Sequence, residues 1–176
     1  MTGPRFEDAR EAERAILRHF LAALAYRTQK ALRGAPVGYG EFRAAAGVRT
    51  PRALLRHMSD VLSYATTAFT GGTRRAQTLP TFSDEIERFH SVLEELGGLV
   101  ADADLDSETS RRLLQGPLSD AMAHAGQLAM LRRLHGSPVP PENFFDARVD
   151  ARNLGPDQPD PASPDAEWYD AEEEPW

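Results

Sequence analysis

Thr50-Pro51-Arg-Ala-Leu54-Leu55-Arg-His57-Met58-Ser-Asp-Val61-Leu62-Ser-Tyr-Ala65-Thr-Thr-Ala-Phe69 carries the fold in one stretch. Thr50 is a hydroxyl able to cap a helix, and Pro51 stands at a first helical position, where a missing N–H costs nothing. Leu54, Leu55, Met58, Val61, Leu62, Ala65 and Phe69 then recur at three- and four-residue steps. That period makes one buried stripe on a helix.

The same pattern recurs on both sides. From about Phe6 to Arg33, the residues Ile16, Leu17, Phe20, Leu21, Leu24 and Leu32 form a stripe between arginines and glutamates, and Gly34-Ala-Pro-Val-Gly38-Tyr-Gly40 ends it. Glycine past the last turn and a nearby proline stop a helix. A short helix is expected at Glu41 to Ala46. A third long helix starts near Ser83 and carries Ile86, Phe89, Leu93, Leu96 and Val100, with Asp84 and Glu85 at its positive end. After a connector around Asp102 to Asp106, helix resumes at Ser107, is kinked or restarted by Gly116-Pro117, and runs to His135 before Gly136-Ser-Pro138. Nothing alternates with period two. The expectation is an all-α four-helix bundle with connections of roughly 7 to 16 residues, followed by an irregular acidic, Pro-rich C-terminal tail.

Length and composition agree. The 176 residues, 41% of them apolar, suffice for one core, placed here in residues 1–140. No apolar run approaches the roughly 18 residues of a membrane span, and the N-terminal stretch lacks a signal peptide's apolar segment, so a cytoplasmic protein is expected. Zero cysteines exclude thiolate ligands and nucleophiles of the chain's own. The net charge of -7 is unevenly spread: residues 141–176 hold 11 acids and two arginines, while the other 140 carry 16 acids and 18 bases. The body has no basic stripe, so no nucleic acid partner is expected.

Residues 141–176 hold six of the 13 prolines and lose apolar periodicity. Such a segment buries too little to offset its ordering entropy, so a solvated tail is expected. Phe144, Phe145 and Val149 are candidates to tack its first part to the bundle. Trp168, Tyr169 and Trp176 could do the same at its end, making an arm around the bundle or a partner.

One constellation carries chemistry. Asp120 and His124 stand four residues apart on a helical background, hence on one face with Cβ atoms about 5 to 6 Å apart. His57 lies six residues past Pro51, and His124 seven past Pro117. If those two helices run parallel, the imidazoles share a depth of about 9 to 10 Å. Two nitrogens and one oxygen would hold a divalent metal and leave coordination positions open. The spacing fits solvent-facing histidines equally well. His19, His90 and His135 have no partners at helical spacing and are expected at the surface or at helix ends. Gln127 either orients a ligand or faces water, with water expected. Arg132 and Arg133 suit a helix C-terminus. Met58, Met122 and Met130 are expected as core filler.

The late helix reads His124-Ala-Gly126-Gln127-Leu-Ala-Met-Leu131-Arg132-Arg-Leu-His-Gly136-Ser-Pro138, and with His57 in helix two it resembles the DinB-like (DinB/YfiT-like) superfamily over roughly Phe6 to Pro140. The resemblance implies a four-helix bundle, often a homodimer, with a divalent metal held by three histidines. Some such proteins transfer or isomerise low-molecular-weight thiol conjugates of mycothiol, bacillithiol or glutathione. This chain departs where Asp120 replaces the usual histidine. A site of His57, Asp120 and His124 would suit zinc or nickel first, with manganese or iron as alternatives. The competing expectations are a non-catalytic dimeric bundle that presents its acidic tail to a partner, and a bundle binding a small apolar ligand between its helices.

Overall fold

The computed structural model describes residues 4–73 and 77–162, with side chains from residue 9 onward. Four long rods form the molecule: α1 (Pro4–Leu32), α2 (Pro51–Thr70), α3 (Phe82–Asp102), and a composite of α4 (Ser107–Leu113), a π-turn (Leu114–Leu118) and α5 (Ser119–Leu134). Among the described residues there is no strand, and no helix is long and apolar enough to cross a membrane.

Each start has a local cause. Thr50 Oγ1 accepts from the Ala53 N–H at 3.2 Å with Pro51 next in line, as expected of α2. Thr81 and Asp84 bond each other's backbone N–H in a capping box at the head of α3. Asp106 accepts from Thr109 N–H at 2.7 Å, and these bonds to its charged form hold its carboxyl below the usual range. At the end of α5, Gly136 takes φ 77°, and the N–H groups of Gly136 and Ser137 return to Arg133 and Arg132. That left-handed closure suits glycine.

The rods pack in the cyclic order α1, α3, α2, α5, with α1 and α2 on one diagonal. Their directions follow from contacts at the two ends. Glu13 accepts from Ser107 and Ser110, so α1 and α4 begin together, and Arg132 bonds the carbonyls of Ala31, Arg33 and Gly34, so α1 and α5 end together. Arg10 and Arg14 of α1 meet Asp104 and Ala103 just past α3, which therefore runs the other way. Arg52 and Arg56 donate to Pro80 and Thr78, and Arg88 pairs with Asp60 at 2.6 Å, so α2 and α3 are parallel.

Two antiparallel pairs of parallel helices result. The expected parallel arrangement of α2 and α5 is corrected: they are antiparallel. α2 is about 30 Å long at 1.5 Å per residue, and the eleven residues from 71 to 81 are long enough, at about 36 Å when extended, to join parallel helices. Glu85, fully buried, secures the returning strand of chain by accepting from the Leu79 N–H at 3.1 Å.

Leu21, Leu24, Leu55, Met58, Leu62, Phe89 and Leu93 fill the centre with essentially no exposure. Tyr39 is buried there too, its hydroxyl donating to the Leu128 carbonyl at 2.7 Å. It belongs to a 3₁₀ turn at Tyr39–Glu41, and no helix forms at the expected Glu41 to Ala46. Met58 is core as expected, Met122 lies partly buried against it, and Met130 is instead 60% exposed.

The chain after Pro141 corrects the solvated-tail expectation as far as residue 162. Glu142 is buried, accepts from the Tyr26 hydroxyl at 2.5 Å and pairs with Lys30 at 2.8 Å. Burial and that carboxylate push the Tyr26 phenol well above its ordinary value. Further along, Leu154 sits over Gly97 of α3 and its carbonyl accepts from His90 Nδ1 at 2.7 Å. Arg33 then binds the Gln158 carbonyl at 2.6 Å and the Asp160 carboxylate at 2.7 Å. The segment is a strap across one end of the bundle, and an exposed polar composition misses it because its anchors are single residues far apart. His90 is therefore buried, where a surface site was expected. Phe144 packs edge-on against Tyr26, Val149 is half-buried, and Phe145 is exposed. Trp168, Tyr169 and Trp176 lie outside the described residues.

Candidate metal centre

The π-turn decides where the acid stands. Pro117 has no N–H to give the preceding turn, and the chain accommodates this by winding one residue wider over Leu114–Leu118 rather than stopping. The Leu114 carbonyl accepts both the Ser119 N–H and, at 2.5 Å, the Ser119 Oγ hydroxyl. The helix continues as α5 with Asp120 in its first turn and His124 four residues on, both facing α2.

His57 meets them there. Its Nε2 lies 3.4 Å from Asp120 Oδ2, and His124 Nε2 lies 3.5 Å from Asp120 Oδ1, with the two imidazole centroids 5.0 Å apart at 72°. Because α2 and α5 are antiparallel, the match in depth arises differently from the sequence expectation: His57 is six residues past the start of α2, and His124 ten before the end of α5. One ligand atom from each of the three lies within 4.8 Å of the others, the one such group among the described residues.

The donor set fits a cation. Ligand bonds of about 2.0–2.2 Å put neighbouring corners of a tetrahedron about 3.4 Å apart, and one ligand atom from each of the three side chains lies within 4.8 Å of the others, a difference that small side-chain rotations close. The two imidazole–carboxylate separations are too long for charge-assisted hydrogen bonds, which run at about 2.7–2.9 Å. Among the described residues no arginine pairs with Asp120.

A hydrogen bond orients one ring, and electrostatics act on the other. Gln127 Oε1 lies 3.0 Å from His124 Nδ1, and since a carbonyl oxygen only accepts, Nδ1 carries the proton and Nε2 presents its lone pair toward Asp120. Such a partner on the far nitrogen fixes the tautomer of a ligating histidine. Gln127 is exposed, as expected, and its amide oxygen also reaches the His124 ring. Its spacing, three residues after His124 on one helix, was the signal that could have found it. Burial, Arg49 and His124 together push the His57 imidazole below its ordinary value, against the opposing pull of Asp120 and Asp60. His57 is consequently neutral near pH 7, the form that binds metal.

The three side chains grade from sheltered to open. His124 is 11% exposed at its side chain, His57 32% and Asp120 46%. They stand at the edge of an open cleft of about 750 Å³ between α2 and the π-turn, lined by Asp60, Val61, Tyr64, Gln115, Gly116, Pro117 and Ser119 beside His57 and Asp120. Asp60 is held against Arg88, and Tyr64 stands 70% exposed. A cation there would be reached directly from solvent.

The other histidines take no part. His19 is exposed, His90 is under the strap, and His135 packs edge-on against Phe42 and Tyr39 beyond the end of α5. Arg132, expected to serve a helix end, is 4% exposed and serves two, donating to Ser137 as well as to the carbonyls that close α1. Comparison with family models, curated proteins and solved structures finds no match for the chain.

Proposed function

We propose that the protein is a DinB-like metal-dependent enzyme that binds a divalent cation through His57, Asp120 and His124 and acts on a low-molecular-weight thiol or its conjugate. One observation carries the reading: two imidazoles and a carboxylate from opposed helices meet at an open cleft, with the more buried imidazole already held in the ligating tautomer by Gln127. Zinc or nickel suits two nitrogens and one oxygen best, with manganese or iron as alternatives.

A bound divalent cation lowers the pKa of a coordinated water or thiol and so supplies a nucleophile near neutral pH. The chain has no cysteine, so the thiol comes from outside. His57 and His124 would each offer a ring nitrogen and Asp120 a carboxylate oxygen, and three ligands leave room for the incoming group. Tyr64, Gln115 and Ser119 offer hydroxyl and amide groups along the cleft to orient it.

Metal analysis followed by thiol-transfer assays with mycothiol, bacillithiol and glutathione tests the proposal. It requires metal-dependent turnover that is lost in His57→Ala, and metal-independent turnover or none with any thiol contradicts it. A second reading draws on Asp120 standing where related sites have histidine: a non-catalytic, dimeric bundle acting as an interaction module. Stoichiometric metal binding without turnover, in a protein that sediments as a dimer, favours that reading.

A further inference from the structure

On a helical wheel at 100° per residue, Asp120, His124 and Gln127 fall within about 60° of one another on α5, whereas Met122, Ala125, Ala129 and Arg133 centre on the opposite side. That far side forms a groove with α1, about 270 Å³ in volume, closed at one edge by Glu142 and Phe144 of the strap. Its floor is apolar and its rim is basic. Lys30 is paired with Glu142, whereas Arg27 stacks 3.9 Å over the Phe144 ring, reaches the Met122 sulfur at 3.8 Å and feels Glu142 only at longer range. Among the described residues neither Arg27 nor Arg133 has a carboxylate within ion-pair distance. Met130, exposed at the same rim, leaves apolar surface uncovered.

The described chain ends near the C-terminal end of α1, the helix that walls one side of this groove. Asp160 is bound to Arg33, six residues along α1 from Arg27 and so about 9 Å away along the axis. The fourteen residues that follow, Ser163 to Trp176, contain six acids, no basic residue, and Trp168, Tyr169 and Trp176. From Asp160 to Trp168 the chain can extend at most about 28 Å, three times that axial offset. Aromatic residues bring large apolar area to the floor, and the guanidinium groups attract both carboxylates and ring faces.

We propose that residues 163–176 dock in this groove in cis, with an aromatic side chain of the 168–169 pair on the Met122 and Met130 floor and flanking carboxylates on Arg27 and Arg133. This holds whatever the metal centre does, because the two surfaces lie on opposite sides of α5.

The chain's two tryptophans, Trp168 and Trp176, both lie in this segment, so tryptophan emission of the full-length protein reports on it alone. The proposal requires native emission at shorter wavelength than in the urea-unfolded chain and several-fold lower quenching by acrylamide. Both effects should vanish in the Arg27→Glu/Arg133→Glu variant and in about 1 M salt, where the Debye length is about 3 Å. Arg133→Glu alone changes an exposed residue, so a partial loss in that variant serves if the double variant fails to fold. Native emission matching the unfolded chain overturns the proposal. Protection that survives charge reversal places the segment elsewhere and overturns it as well. Protection that depends on protein concentration assigns the groove to a second copy's tail and refutes docking in cis.

Discussion

His124 donates its Nδ1 proton to Gln127 Oε1 across 3.0 Å, and this bond settles which nitrogen of the ring is left to face Asp120. Without it the ring could turn or shift its proton, and the lone pair at Nε2 would no longer be assured. Gln127→Leu is expected to weaken divalent metal binding by about 10–100-fold, while Gln127→Glu, which keeps an acceptor at the same place, should retain it. Competition titration against a chromophoric chelator measures both, and equal affinity in Gln127→Leu and the parent would show that the bond positions nothing.

Asp120 supplies the charge of the set. Asp120→Ala removes a ligand and its negative charge together, and should lower affinity at least about 100-fold, or about 2.8 kcal/mol. Asp120→His restores three nitrogens and should bind zinc or nickel at least as well as the parent, within about tenfold. Calorimetric titration of metal-free protein distinguishes these outcomes. A wild-type affinity in Asp120→Ala would remove the carboxylate from the site.

Glu142 ties the strap to α1. Glu142→Ala leaves Lys30 without its partner and the Tyr26 hydroxyl without its acceptor, in a place where the glutamate side chain has no exposure and the lysine 10%. Breaking a buried pair costs about 3–5 kcal/mol, and the lysine's remaining access to water puts the loss near the lower end, about 3 kcal/mol. Urea unfolding monitored by circular dichroism gives the value. A loss below about 1 kcal/mol would indicate a strap that rests on the bundle without holding it.

His90 gives stability a defined pH dependence. Burial lowers its pKa below the ordinary value, opposed by its bond to the Leu154 carbonyl and by Glu94. The unfolded chain therefore takes up the proton first as pH falls. The contribution of the neutral ring is complete above about pH 6.5 and is lost as pH drops from there through the folded-state value. His90→Gln should flatten the loss of stability across that window while costing some stability at higher pH. Urea midpoints at a series of pH values check this, and an unchanged acid slope in the variant would contradict it.

Much of the architecture was legible because its signals are local. Thr50 and Pro51, the Ser83-Asp84-Glu85 cluster and Gly136 are near neighbours of the backbone groups they satisfy, so their meaning travels with the sequence. The direction of the helices was not. Eleven residues between α2 and α3 are long enough to join the helices either parallel or antiparallel, and nothing in their composition distinguishes the two. His57, Asp120 and His124 nonetheless converge, since His57 and His124 stand at heights that match even with the helices opposed.

The strap escaped notice for a different reason. Glu142, Leu154 and Gln158 are isolated contacts whose partners Lys30, Gly97 and Arg33 lie far back in the chain, and no period records such pairings. The burial of His90 is equally non-local, because its partner is the carbonyl of Leu154. Gln127 was recoverable from its spacing to His124, but only once that histidine is read as a ligand.

Anomalous diffraction from crystals of the full-length protein grown with zinc tests the metal centre most directly. One strong peak is expected about 2.0–2.2 Å from His57 Nε2, His124 Nε2 and an Asp120 carboxylate oxygen. A zinc-saturated crystal with no peak between those three side chains, or with its peak at other residues, would contradict it.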